Sequence, residues 1–310
     1  MQFAHVSVLL NEVVSSVAVK ENGIYADGTL GGGGHTNGIL SACSGAKVIG
    51  IDQDTDAIAA AKKRLEKYGD RFIAVHNNFS NIKQVLRDLD IQALDGAVLD
   101  LGVSSYQLDE ASRGFSYIHD APLDMRMNRD NDLSAYSVIN TYSAQELTDI
   151  FYAYGEEKWS KRIAEFICNA REHKPVETTG ELVRIIESAI PKAARADGGH
   201  PAKRVFQAVR IEVNGELRIL DNALRDFVSV LVPGGKLAVI TFHSLEDRIV
   251  KNTFKDLCTD CICPKEFPVC VCGHKAVGKP APKKPILPSK AELQSNSRSR
   301  SAKLRIIQKL

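Results

Sequence analysis

Short apolar runs and longer amphipathic stretches alternate through the first hundred residues. Residues 24–27, 47–52, 72–76 and 95–100 are compact apolar runs of strand length, which predict buried strands. Between them, residues 36–42, 54–68 and 80–89 carry helical periods. In the second of these, Ile58, Ala61, Leu65 and Tyr68 recur at helical spacing and mark one buried face. Strand, helix, strand in succession predicts right-handed crossovers and a parallel, doubly wound α/β sheet.

The alternation stops near residue 108. Residues 109–132 are polar and loop-like, and amphipathic helices are predicted over 143–152, 159–171 and 179–190. The first opens on Ser143 with Glu146 three positions on, the spacing of a capping box; the last ends before Pro191. The βα pattern resumes with a helix over 217–231, a Pro233-Gly234-Gly235 turn, an apolar strand over 236–242 and a helix from Leu245. Four prolines fall between Pro280 and Pro288, and Ser, Asn and Arg fill 295–301, so this stretch reads as an extended linker before a final strand at 304–307. The expected organisation is one α/β domain, residues 1–107 with 213–310, and a helical insertion, residues 108–212, as its substrate-recognition domain.

Composition narrows the class. With 310 residues, 44% hydrophobic and 25% charged, the chain is an ordinary globular one. A net charge of +2 advertises no global attraction to nucleic acid. From Lys275 to Leu310, however, ten Lys and Arg face a single acid, Glu292. Such an excess either binds phosphate or forms a solvated, mobile tail. His5, Asn11 and Glu12 interrupt any signal-peptide core, and no run approaches the ~20 apolar residues of a membrane span. The expected compartment is the cytoplasm. Its reducing conditions disfavour disulfides among the seven cysteines.

The chemistry begins at Asp27-Gly-Thr-Leu-Gly-Gly-Gly-Gly-His35, between the first strand and a helix. Consecutive glycines let backbone approach a ligand closely, and a helix N-terminus offers N–H groups to an anion. Asp52 ends the second strand, placed for ribose hydroxyls or for capping a helix together with Asp54. Asn77-Asn78-Phe79 follows the third strand, either as an adenine-binding edge and face or as a turn with a core Phe. Asp100 ends the fourth strand at the lip of the same crevice. The glycine spacing is denser than the dinucleotide fingerprint of dehydrogenases.

Past Asp100 the blocks become distinctive. Asp100-Leu-Gly-Val-Ser-Ser-Tyr-Gln-Leu-Asp109, Arg113-Gly-Phe-Ser116 and Asp124-Met-Arg-Met127 closely resemble the signature of the bacterial 16S rRNA (cytosine-N4)-methyltransferases. So do the blocks from His5 to Val13, from His200 to Asn214, from Thr241 to Arg248 and from Arg300 to Arg305. The resemblance implies a class I fold dependent on S-adenosylmethionine, with a Rossmann-like doubly wound sheet and an inserted helical domain. It implies a cytidine of the decoding region as substrate, in 16S rRNA or the assembled small ribosomal subunit. It also implies cofactor contacts from Gly33, Gly34, His35, Asp52, Phe79, Asp100 and Gln107. Two departures stand out. Ser7 replaces a usual proline, and the tail block Asn296-Ser-Arg-Ser-Arg-Ser301 lacks one, which predicts a looser tail.

A cytosine amine is a poor nucleophile because its lone pair is delocalised into the ring. Acceptors must draw it towards sp³ geometry in line with the methyl. The position after the fourth strand lacks the two prolines and the aromatic of many amino-methyltransferases. The expected acceptors are therefore Asp100 and nearby carbonyls, assisted by Ser104 or Ser105. The alternative is that Asp100 only holds cofactor and the serines cap the next segment. His243 is a candidate proton acceptor; the alternative is Ser244 as a helix N-cap with Asp247 at the third position. Asp124, Arg126, Lys203, Arg204 and Arg210 are candidate RNA contacts. Lys203, Gln207 and Arg210 share one helical face, which either grips phosphate or is merely solvated.

Cys258, Cys261, Cys263, Cys270 and Cys272 lie within fifteen residues. Cys258, Cys261, Cys270 and Cys272 are the expected ligands of a structural zinc, with reduced, unliganded thiols as the alternative. Two other functional classes compete with a methyltransferase: a nicotinamide-dependent oxidoreductase, which would bind a dinucleotide, and an RNA-binding protein that has lost catalysis. The oligomeric state is open between monomer and dimer.

Overall fold

The computed structural model describes residues 7–195, 199–264 and 266–310. His5 and Val6 of the first signature block lie outside these. The chain divides into two compact units, one of residues up to Gly102 with Leu217–Leu310, the other Val103–Glu216. The chain leaves and re-enters the first unit beside two left-handed glycines, Gly102 (φ 97°) and Gly215 (φ 61°), where a side chain would be strained.

In the first unit, strands β1 (Ile24–Asp27), β2 (Lys47–Asp52), β3 (Phe72–His76), β4 (Leu94–Asp100), β5 (Leu231–Thr241), β6 (Gly278–Pro280) and β7 (Lys303–Lys309) form one sheet. Their order is β3-β2-β1-β4-β5-β7-β6. β1 to β5 run parallel, and β7 lies antiparallel between β5 and β6. The order reverses between β1 and β4, and ligands of such sheets bind beyond the strand ends at that switch point.

Alternate strand residues serve opposite faces. Ala26, Ile49, Leu99 and Val239 pack with Leu224 and Phe227 on one side; Tyr25, Val48, Val98 and Ala238 pack with Val13 and Ile39 on the other. Both faces are covered, which is why the strands read as apolar runs rather than alternating ones.

The expected linker and loose tail are corrected. A helix, Lys290–Ser295, and a 3₁₀ turn, Ser297–Ser301, follow β6. Asn296 caps the 3₁₀ turn through its side chain, and Ser299 is fully buried. Glu292 accepts the Leu9 N–H at 2.7 Å, tying the tail to the N-terminal segment. Lys303 and Arg305 pair with Asp247, and Lys309 donates to the carbonyls of Ser229 and Leu231. These tail cations are spent on the fold, because β7 is an interior strand.

The second unit is helical, with no named strand among its described residues. Helices Ala144–Gly155, Ser160–His173, Thr179–Ala189 and Lys203–Asn214 enclose Leu147, Phe151, Ile163, Ile167, Leu182, Ile186, Val205 and Val209. Ser143 and Glu146 form the expected capping box.

Candidate functional site

Three carboxylates end adjacent parallel strands: Asp27 on β1, Asp52 on β2 and Asp100 on β4. The glycine loop is stitched across them. The Gly28 and Leu30 N–H groups donate to the carbonyls of Val98 and Ile51, at 2.9 and 3.0 Å. Gly31 donates to Asp52 Oδ2 at 2.7 Å, and the Asp100 N–H donates to the Thr29 hydroxyl at 2.6 Å. Buried Asp27 accepts from Thr36 Oγ1 at 2.7 Å, locking the helix Gly34–Ala42 to the strand tip.

Within this loop the glycines differ. Gly33 is the left-handed N-cap of that helix, and a Cβ there would lie 2.9 Å from Leu65. A Cβ on Gly34 would strike Ser7 Oγ at 1.9 Å. Gly33 is required by its backbone and its packing, whereas at Gly34 the Ser7 hydroxyl would have to turn away. Gly32 is exposed and its Cβ would meet nothing within 4 Å, so the open face of the loop is at Gly32, which the sequence reading did not single out.

His35 is buried, donating from Nε2 to the Val8 carbonyl at 2.9 Å, and Nδ1 lies 3.7 Å from Asp100 Oδ2. The other Asp100 oxygen, Oδ1, is buried without a hydrogen-bond partner among the described residues. Burial pushes the Asp100 carboxyl up to about 6; His35 pulls it down, while Asp27 and Glu246 push it further up. Burial also pushes Asp52 up to about 6 against the N–H groups of Asp54 and Gly31, and raises Asp27. A crevice holding several such acids and one orphaned acceptor suits a ligand carrying positive charge and hydroxyl or amine donors.

Asn77, Asn78 and Phe79 form a turn. Asn77 Oδ1 accepts from Asn78 N–H and from Asn81, Asn78 caps a 3₁₀ turn, and Phe79 packs half-buried on the sheet core. Asp54 caps the next helix, while Asp52 Oδ1 accepts the Asp54 N–H at 2.9 Å.

At the end of β5 the expected Ser244 cap is corrected by one residue. His243 is the N-cap of the helix Ser244–Leu257 and Glu246 its N3 partner. His243 Nδ1 accepts the Glu246 N–H, which leaves the ring proton on Nε2; that nitrogen is buried and lies 3.0 Å from Glu246 Oε1 without hydrogen-bond geometry. Glu246 Oε2 accepts from Phe242 N–H at 2.8 Å. Asp247 is instead the partner of Lys303 and Arg305: burial pushes its carboxyl up, and those cations outweigh it, leaving it below the usual range.

The remaining expected residues belong to the helical unit. Ser104 caps a short helix, Ser105–Asp109, and shares a capping box with buried Gln107. Asp124 and Arg126 form a two-bonded pair at 2.8 and 3.1 Å around left-handed Met125. That turn is braced from below: buried Arg113 donates to the Arg126 carbonyl and Asn214 to the Met125 carbonyl. Arg126 also donates to the carbonyls of Arg129 and Asn131. Lys203 and Arg204 are exposed. Arg210 is not part of a basic face: it forms a two-bonded, mostly buried pair with Glu216 at 2.9 and 3.0 Å, and Gln207 donates to the Tyr154 carbonyl. Pairing across the turn at Gly215 is invisible to helical spacing.

The cysteine set is corrected too. Cys261, Cys263, Cys270 and Cys272 converge, their sulfurs all within 4.8 Å of one another. Cys258 is the C-cap of the preceding helix and packs on the sheet core, where burial raises its thiol.

Among the described residues no helix is long and apolar enough to cross a membrane. A model of the MraW methylase family matches residues 2–310. A protein of Clostridium botulinum (strain Loch Maree / Type A3) named ribosomal RNA small subunit methyltransferase H is 59% identical over 311 residues, covering 100% of both chains. One of the same name from Finegoldia magna is 53% identical, again covering 100% of both. A solved rRNA methylase from Streptococcus thermophilus aligns with a TM-score of 0.42 at 12% identity, over 96% of this chain and 93% of that one.

Proposed function

Because the chain belongs to the MraW methylase family along residues 2–310, we propose that it transfers the methyl group of S-adenosylmethionine to the N4 amine of a cytidine in the decoding region of small-subunit (16S) ribosomal RNA. The substrate class follows the names of its relatives. The base follows the resemblance of its signature blocks. The observation that carries the reading is Asp100 Oδ1, a buried acceptor without a partner at the switch point of the sheet.

The residues of the crevice fit the cofactor. The loop at Gly32 gives a ligand room against the backbone. The N-terminus of the helix Gly34–Ala42 suits the amino-acid carboxylate. Each Asp52 oxygen accepts one backbone N–H and keeps a lone pair for ribose. Phe79, half-buried beside Gly28, offers a ring to the adenine. Bound there, S-adenosylmethionine supplies an electrophilic methyl carbon on a sulfonium. Asp100 Oδ1 accepts an N–H of the cytosine amine and draws its lone pair out of conjugation. The newly methylated amine is a strongly acidic ammonium, and the ionised Asp100 carboxylate beside it is an acceptor for the proton it sheds. His243 then holds the helix Ser244–Leu257 rather than moving protons, since its acceptor nitrogen is already used. Ser104 and Gln107 hold the short helix after β4.

The helical unit is the substrate-recognition part in this reading. Its exposed Lys203 and Arg204 meet phosphates, and the braced Asp124–Arg126 turn offers the RNA a preformed polar contact. The site of action is the cytoplasm, where small subunits mature. Labelled S-adenosylmethionine offered to small subunits from a strain lacking the enzyme, followed by nucleoside mass analysis, tests the proposal. N4-methylcytidine is the expected product; a methyl on another base or on protein redirects it.

A further inference from the structure

Between the helix Ser244–Leu257 and β6 the chain makes an excursion, residues 258–277, with no helix or strand among its described residues. Its large apolar side chains face solvent: Ile262 is 60% exposed, Phe267 52%, Val269 70% and Val271 72%. A segment that buries so little has almost no hydrophobic gain to offset the entropy of ordering its backbone. Its backbone ties are correspondingly few. Val277 donates to the Leu257 carbonyl at its base, and Phe267 to the Pro264 carbonyl near its tip.

Four sulfurs nevertheless meet in its middle. Cys261-x-Cys263 and Cys270-x-Cys272 are two matching arms, joined by residues 264–269 with a proline at positions 264 and 268. Cys261 Sγ lies 3.5 Å from Cys270 Sγ and 3.8 Å from Cys272 Sγ, and Cys270 Sγ lies 3.5 Å from Cys272 Sγ. Cys263 completes the group within 4.8 Å. These separations are far beyond the ~2.05 Å of a disulfide. They match a tetrahedral thiolate site instead: zinc–sulfur bonds of about 2.3 Å require sulfur–sulfur edges of about 3.8 Å. The Val271 N–H points at Cys263 Sγ, 3.4 Å away, a donor suited to stabilising thiolate charge.

We propose that Cys261, Cys263, Cys270 and Cys272 bind one zinc ion, which serves this excursion as the core its side chains do not form. Each thiol releases its proton on coordination. Four protein ligands close the tetrahedron, leaving no position for water or substrate, so the ion is structural and takes no part in methyl transfer. Cys258, the last residue of the preceding helix end, is excluded.

The test uses the full chain, reduced, reconstituted with one equivalent of zinc and desalted, with metal content read by mass spectrometry. One zinc per chain is expected. The double variant Cys261→Ser/Cys270→Ser should retain none, and Cys258→Ser should retain all of it. Cobalt in place of zinc should give the thiolate charge-transfer and intense visible bands of a tetrahedral sulfur site. Chelation should open residues 258–277 to protease while the remainder resists, a readout independent of any variant. The proposal is overturned if the wild-type chain holds no zinc, if the double variant holds it as well as the wild type does, or if the four thiols of the reduced, desalted protein re-form as disulfides instead of taking up metal.

Discussion

His35 Nδ1 faces Asp100 Oδ2 across 3.7 Å, while the same ring donates from Nε2 to the Val8 carbonyl. A carbonyl only accepts, so Nε2 carries a proton. The Nδ1–Oδ2 approach is then attractive when one more proton sits on either partner. Oδ2 is thereby oriented by the fold and Oδ1 is left for the ligand side. Replacing Asp100 by Ala separates its two proposed duties. Loss of an acceptor for a charged or polarised partner costs about 1.5–3 kcal/mol, so cofactor affinity should fall roughly 10- to 150-fold. An acceptor that acts on the amine in the transition state adds a further loss, on the order of 10²-fold in turnover. Calorimetry for affinity and single-turnover methylation for the chemical step check this. Losses equal in both would confine Asp100 to binding cofactor.

The raised acids set a pH dependence. Asp52 and Asp100 both stand at about 6 in the free protein, above the ordinary carboxylate value. Ribose hydroxyls and a sulfonium both favour the ionised forms, so binding must lower these values and release protons. Cofactor affinity is therefore expected to weaken as pH falls through 6 and to level off above about 7. For folding the sign is opposite. A carboxyl whose folded value lies above its unfolded one stabilises the fold when protonated. These two groups thus add stability as pH falls from above 6 towards about 4, and that contribution is lost as pH rises through 6. Calorimetry in buffers of different ionisation enthalpy counts the released protons. An affinity flat between pH 5.5 and 7.5 would contradict the assignment.

What was legible in the sequence follows from how each feature is encoded. β1 to β4 are buried on both faces, so their apolar runs stand out whatever surrounds them. The glycine loop and the strand-tip acids are likewise local signals. The rest depended on partners distant in sequence. Arg210 reads as a basic-face residue until the chain turns at Gly215 and brings Glu216 against it. Lys303 and Arg305 count only as part of a basic excess around a predicted final strand until β7 inserts beside β5 and meets Asp247. Cys258 satisfies a C-x2-C spacing, yet the helix before it commits its side chain to the core, and Cys263 takes the fourth place. The cap at β5 slipped by one residue because His243-x-x-Glu246 and Ser244-x-x-Asp247 are both cap-like spacings. Which one wins depends on where the strand releases the chain.

His243 offers a sharp test of cap against catalyst. As an N-cap its acceptor nitrogen satisfies the Glu246 N–H, a duty Asn or Ser performs as well. His243→Asn is expected to keep turnover within a few-fold of the parent chain and to leave its melting temperature nearly unchanged. His243→Ala should lose about 1 kcal/mol of stability, read by denaturant unfolding, with turnover of the folded fraction retained. A large loss of turnover in His243→Asn, at unchanged stability, would restore the ring to proton transfer.

Gly32 and Gly33 are neighbours with opposite constraints, and one methyl group on each distinguishes fold from ligand. At Gly33 the backbone is left-handed (φ 74°) and a Cβ would press on Leu65 at 2.9 Å. Gly33→Ala therefore combines conformational strain with a clash in a buried position, and should lower stability by about 1–3 kcal/mol. At Gly32 the backbone is outside the left-handed range and the added methyl enters open space. Gly32→Ala should leave the melting temperature of the free protein unchanged. If the cofactor lies against that face of the loop, the methyl occupies its place, and affinity should fall about tenfold or more. Thermal melts with and without S-adenosylmethionine separate the two effects. Gly33→Ala should lower both melts, whereas Gly32→Ala should lower only the increment that the cofactor adds. An undiminished increment in Gly32→Ala would move the ligand to another face of the loop.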